Sequence, residues 1–218
     1  MIEATSADPL MPLRLFHNRS LVAGMTITFL YMATFGALPY FLTVLLQNVH
    51  GFTALQTGLA FLVPSVAIAT GTQAGERLAT RFSTRSTLVG GMIVGAVGTA
   101  LMVSGATAES SYLSLVPGLI VSGVGQGIVW TAMWIAAASG VAHDQQGVAS
   151  GMASTTLNVG NAVGMAVLIA IANSQIGELS GNALKIAVAD GIQVAFWLAA
   201  AGIVVSLLAA MVLPAKAR

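Results

Sequence analysis

Six stretches of this chain are apolar over a length that crosses a lipid bilayer, and no Asp, Glu, Lys or Arg lies deep in any of them. A hydrocarbon core of about 30 Å needs ~20 apolar residues in helix. The stretches cover about 21–46, 57–75, 87–104, 113–141, 148–173 and 191–213. An unpaired backbone amide in lipid costs several kcal/mol, so only helices or a closed barrel can span. The strand alternation of a barrel is absent. The expected fold class is all-α: a polytopic membrane protein of six transmembrane helices. Composition agrees, with 56% hydrophobic and 7% charged residues. A soluble domain carries roughly 25% charged residues, so this chain could not cover a water-facing surface.

The same inventory narrows function. A net charge of +1 gives no bulk attraction for nucleic acid. There is no cysteine, and His17, His50 and His143 fall in expected flanks or loops. No metal site or cofactor is therefore expected. The glycine-rich run Gly123–Gly127 lies mid-span with no strand before it, which argues against a nucleotide loop. Ser150 has no His within reach to act as a base, so the chain is not expected to be an enzyme. Residues 1–12 lack the basic and apolar blocks of a signal peptide.

Orientation follows from Lys and Arg in short loops. Arg14 and Arg19 precede the first span, Arg77, Arg81 and Arg85 follow the second, and Lys216 and Arg218 follow the sixth. Only Lys185 falls on the other side. Both termini are expected in the cytoplasm, with a flank over 1–20, a membrane domain over 21–213 and a tail over 214–218. Glycines recur at four-residue spacing: Gly71/Gly75, Gly91/Gly95, Gly123/Gly127, Gly147/Gly151 and Gly160/Gly164. Such pairs let helices approach closely in lipid.

Polar residues inside spans are costly and mark cavities or interhelical bonds. In the fifth span, Gly147, Gly151, Ser154, Asn158, Asn161 and Met165 form one helical stripe. In the fourth, Ser122, Gln126, Trp130 and Met133 form another, and Tyr31 lies deep in the first. Tyr31, Gln126, Trp130, Ser154, Asn158 and Asn161 are the candidates for a substrate path. Carboxamide, aromatic and Met side chains suit bulky amphipathic compounds. Interhelical hydrogen bonding is the alternative role for Asn158 and Gln126. Pro39, Pro64 and Pro117 each remove a backbone donor, and a bend is expected at Pro64.

Two motifs carry a family resemblance. The run from Gly75 to Arg85 resembles the cytoplasmic-loop signature of the major facilitator superfamily, roughly G-x-L-A-D-R-x-G-R-R. Leu78, Ala79, Arg81, Phe82 and Arg85 fit; Glu76, Thr80 and Ser83 stand where Gly, Asp and Gly are usual. Arg77, Arg81 and Arg85 are the basic residues of that motif. The run from Asp144 to Gly164 is similar to the helix 13 region of fourteen-helix drug/proton antiporters. Gly147, Ala149, Ser150, Gly151, Gly160 and Gly164 fit, while Ser154 replaces an Asn and Leu157 an Arg. The opening from Pro12 to Ser20 resembles the linker into helix 9 of that family.

The resemblance implies half of a major facilitator fold, the C-terminal six helices of a multidrug efflux carrier in a bacterial inner membrane. Such carriers rock two halves about a mid-membrane site. Its implied partners are a small-molecule substrate, the lipid bilayer, and a second six-helix half or a second copy. With no intramembrane carboxylate or His here, proton-coupling groups are expected on the other half. The alternative is a truncated or non-transporting six-helix subunit that must pair with another chain.

Overall fold

The computed structural model describes residues 17–139, 141–174, 176–177 and 179–212. Most of the expected flank, with Arg14, and the expected tail, with Lys216 and Arg218, lie outside the described residues. Among the described residues there is no strand, and six helices are long and apolar enough to cross a membrane. They are α1 (Ser20–Val49), α2 (Ala54–Arg81), α3 (Thr84–Gly105), α4 (Tyr112–Ala138), α5 (His143–Ala172) and α6 (Gly181–Met211). The chain is an all-α, multi-pass membrane protein with the six-helix architecture of half a major facilitator fold.

Local chemistry sets the helix ends. The Asn18 carboxamide oxygen accepts from the Ser20 and Leu21 amides at 3.0 and 3.2 Å, capping the start of α1. Thr53 and Gln56 form a reciprocal capping box at the start of α2. Ser83 accepts from the Ser86 amide at 3.1 Å and starts α3. The segment expected as a loop after the second span is largely helical. Arg77 and Arg81 ride on the last turns of α2, and only Phe82 and Ser83 separate it from α3. Arginines are favoured at a helix C-terminus, where carbonyls face outward. Similarly, α6 begins ten residues before the apolar stretch, so Lys185 and Asp190 sit on helix.

Two spans are not continuous α-helix. In α1 a tight 3-10 turn, Phe35–Ala37, precedes Pro39, and a π-turn, Leu45–Val49, closes the C-terminal end of the helix. In α2 the helix breaks at Phe61, and Pro64 lies in the first turn of the segment that follows. A proline has no N–H for the carbonyl four residues back. The carbonyls of Phe35 and Ala60 are the ones deprived.

The packing has an internal symmetry. α1 packs on α5 as α4 packs on α2, and α3 packs on α4 as α6 packs on α1. Exchanging the first three helices with the last three maps these pairs onto one another, and it maps the α1–α4 and α3–α6 contacts onto themselves. The six helices thus pack as two related groups of three. The core between the helices holds fully buried Ile27, Phe35, Leu88, Met133, Phe196 and Ile203. Glycines set the closest approaches. A Cβ on Gly71 would collide with the Val124 carbonyl, and one on Gly127 with the Ile68 carbonyl, so α2 and α4 interlock backbone to backbone. Gly160 and Gly164 admit the α1 backbone at Phe29 and Ala33 in the same way. Gly147 and Gly151 differ: an added Cβ at either would meet nothing within 4 Å.

Candidate functional site

Three of the proposed path residues meet where α4 crosses α1. Tyr31 is buried, with its ring 5.3 Å from that of Phe35 and 5.7 Å from that of Trp130. Its hydroxyl donates to the Gln126 backbone carbonyl over a long 3.5 Å. Trp130 is 38% exposed and stands edge-on to Trp134 at 5.9 Å. The indole is therefore held between Tyr31 and Trp134 with part of its surface left open.

Gln126 has a definite structural task. Its Nε2 donates to the Phe35 carbonyl at 3.5 Å, the carbonyl that Pro39 leaves without its helical donor. The contact is at the long edge of a hydrogen bond. The Leu38 amide also reaches that carbonyl, which is how the 3-10 turn forms. The same arrangement recurs at the other break. Tyr112 donates its hydroxyl to the Ala60 carbonyl at 2.7 Å, opposite Pro64. α4 thus supplies a side-chain donor at each of the proline breaks of α1 and α2. Beside Gln126 lies a cavity of about 240 Å³, lined by Pro39, Leu42, Phe61, Pro64 and Ser122 among others. Its walls are mostly apolar, and Ser122 is itself bonded to Thr99 at 3.1 Å.

The other three candidates lie along α5. Its buried face carries Ala149, Ala153, Gly160, Gly164 and Leu168. The stripe flanking it is partly uncovered: Gly147, Gly151 and Asn158 are exposed, and Ser154, Asn161 and Met165 are half-buried. Asn158 turns its Nδ2 back to the Ser154 carbonyl at 2.9 Å. Asn161 reaches α1 at Gly36, and its buried Oδ1 has no hydrogen-bond partner. The two sets thus converge on neighbouring residues of the α1 break, Gln126 at Phe35 and Asn161 at Gly36.

The stripe expected on α4 divides. Met133 and Ser122 are buried, whereas Trp130 is uncovered. Residues that periodicity did not single out are the Phe35 and Ala60 carbonyls, Tyr112, and Gly36 with its neighbour Met32. The signal for the carbonyls was present, because each lies four residues before a proline.

At the opposite end from the proline breaks, Arg77 and Arg81 are exposed and Arg85 is half-buried. The Arg81 guanidinium lies 5.8 Å from the centroid of the Phe82 ring. Among the described residues none of the three arginines forms an ion pair. Thr80, where the motif usually has Asp, bonds back to the Glu76 and Arg77 carbonyls of its own helix instead.

The sequence profile of the Major Facilitator Superfamily matches residues 24–218. The chain is 33% identical over 171 residues to the cephamycin export protein CmcT of Amycolatopsis lactamdurans, covering 78% of this chain and 35% of that one. It is 32% identical over 193 residues to the multidrug resistance protein Stp of Mycobacterium tuberculosis, covering 88% and 35%. It is 28% identical over 177 residues to the tetracenomycin C resistance and export protein of Streptomyces glaucescens, covering 81% and 33%. The chain spans about a third of the length of these curated relatives.

Proposed function

Because the chain belongs to the Major Facilitator Superfamily, we propose that it forms one six-helix half of an export carrier for drug-like organic compounds. The family is one of transporters, and the relatives named for export of cephamycin and tetracenomycin C support that direction of transport and class of cargo. In this reading the substrate path runs along α4 and α5 past Trp130, Ser154, Asn158 and Asn161, with Tyr31 of α1 buried behind Trp130. Gln126 contributes by holding the shape of α1 beside that path. A second six-helix half, on the same polypeptide, on another chain or on a second copy, supplies the facing wall. The coupling proton is carried by groups on that half, since no described span of this one holds a central acid or base. Both termini face the cytoplasm of a bacterial cell, with Arg77, Arg81 and Arg85 at the inner headgroups.

The observation that carries the reading is the contrast between the two sides of α5. One side presses Gly160 and Gly164 into α1; the other leaves Gly147, Gly151 and Asn158 open. A stripe of Gly, Ser and Asn is a poor surface to show to hydrocarbon. A water-filled path or a polar partner face suits it. A cysteine at Asn158 should react with small, water-soluble thiol reagents in sealed vesicles, and a competing substrate dye should slow that reaction. A cysteine at Val163, on the aliphatic side of α5, should not react. Equal protection of both positions would place the stripe in lipid and refute the path. Dye efflux that appears only when a completing half is co-expressed separates a carrier half from a non-transporting subunit.

A further inference from the structure

The two proline breaks border the same space. The cavity of about 240 Å³ beside Gln126 has Pro39 of α1 on one side and Phe61 and Pro64 of α2 on the other. Its floor is a stripe of α4 from Leu119 to Gln126, and Met102 of α3 closes one part of the wall. Ser65 also lines it and is exposed, so the cavity opens at that edge of α2. Trp130, on the proposed path, lies one helical turn beyond Gln126.

The walls suit an apolar guest. No Asp, Glu, Lys or Arg lines the cavity among the described residues. The Ser65 hydroxyl donates to the Phe61 carbonyl at 2.7 Å, and the Ser122 hydroxyl is paired with that of Thr99. The Gln126 Nε2 is directed to the Phe35 carbonyl. A charged group placed here would lose its water and meet no counter-charge. Size narrows the guest further. An apolar cavity of about 150 Å³ holds a benzene ring, so this one has room for two fused rings. From Leu119 to Gln126 the floor is about 10 Å long, whereas the acyl chains of one leaflet fill about 15 Å. A lipid tail therefore outruns it. Phe61 and Met102 favour aromatic over saturated carbon, through ring–ring and sulfur–ring contacts. We propose that this cleft is a side pocket of the substrate path that seats an uncharged aromatic unit of about two fused rings on the carried compound, with any charge left outside. The assignment rests on the export reading and adds to it the shape of the cargo's apolar end.

The chain has no cysteine, so Ser65→Cys in lipid nanodiscs carries a single thiol at the mouth of the cleft. Its reaction with a small, water-soluble maleimide is timed in the presence of trimethylammonium compounds bearing phenylmethyl, 2-naphthylmethyl, decahydronaphthylmethyl or dodecyl groups. The naphthyl compound should slow the reaction at about a tenth of the concentration that the phenyl compound needs. The saturated bicycle should need about three times as much as the naphthyl compound. Leu59→Cys, exposed on α2 outside the cleft, reports partition into the bilayer and should be unaffected. Ile68→Cys lines the same cavity and serves as the reporter if Ser65→Cys does not fold. No protection, equal protection at Leu59→Cys, or a dodecyl compound as effective as the naphthyl one would refute the ring pocket. Protection by a completing half without any added compound would make the cleft an interface and refute it too. In each case the export reading stands on the Asn158 cysteine and dye efflux. If a completed carrier exports nothing although the naphthyl compound protects, the export reading falls, and the assignment to cargo falls with it.

Discussion

Tyr112→Phe should destabilise the fold, and it should do so only while Pro64 is present. The Tyr112 hydroxyl lies 2.7 Å from the Ala60 carbonyl, and Ala60 is 7% exposed. Pro64 cannot donate to that carbonyl, so removing the hydroxyl leaves a buried acceptor without a side-chain donor. Unsatisfied buried groups cost about 1–3 kcal/mol, and interhelical hydrogen bonds measured in bilayers fall near 0.6–2 kcal/mol. Tyr112 begins α4 and is half-buried, so water can reach the gap in part, and the lower end applies: about 1 kcal/mol. Phenylalanine keeps the ring and its contact with Phe52, at 6.4 Å between centroids, so packing is little changed. In a Pro64→Ala background the new alanine amide supplies the helical donor, and Tyr112→Phe should then cost almost nothing. The coupling in this double-mutant cycle should be about 1 kcal/mol. Dodecyl-sulfate titration in mixed micelles, followed by far-ultraviolet circular dichroism, measures all four proteins. If the two substitutions are additive within about 0.3 kcal/mol, the hydroxyl is not replacing the lost helical bond, and the account of α4 as the donor to both breaks fails.

The corresponding bond from Gln126 to the Phe35 carbonyl is long at 3.5 Å, so Gln126→Leu should cost less than Tyr112→Phe in the same titration. Gly127→Ala should destabilise by about 1–3 kcal/mol, because its Cβ collides with the Ile68 carbonyl. Gly151→Ala, with open space around it, should be neutral or slightly stabilising in the isolated chain and yet reduce dye efflux once a completing half is present. Equal effects of the two alanines on unfolding would contradict the division of glycines into buried and open sets. Neutralising Arg77, Arg81 and Arg85 together should convert a uniform C-terminal reporter signal into a mixture of orientations. A reporter that stays wholly cytoplasmic would show that other groups set the topology.

The limits of what could be read from sequence follow from how far each constraint reaches along the chain. Lipid forces every span to satisfy its own backbone, so helix number and fold class were legible from apolar length alone. Proline breaks are local as well: Pro39 and Pro64 name the carbonyls they deprive, Phe35 and Ala60, by simple counting. What counting cannot give is the donor that answers each one. Gln126 lies ninety-one residues from Phe35 and Tyr112 fifty-two from Ala60, and only the packing of α4 against both broken helices brings them there. The same reach explains the two asparagines. Asn158 and Asn161 share a stripe by periodicity, yet one folds back on its own helix and the other rests over Gly36. That difference is set by a glycine on α1, at the turn that Pro39 helps to open. A helix broken so that a carbonyl loses its regular helical donor also leaves room beside it. α4 fills the first with a donor, while α5 brings an unmatched acceptor to the second.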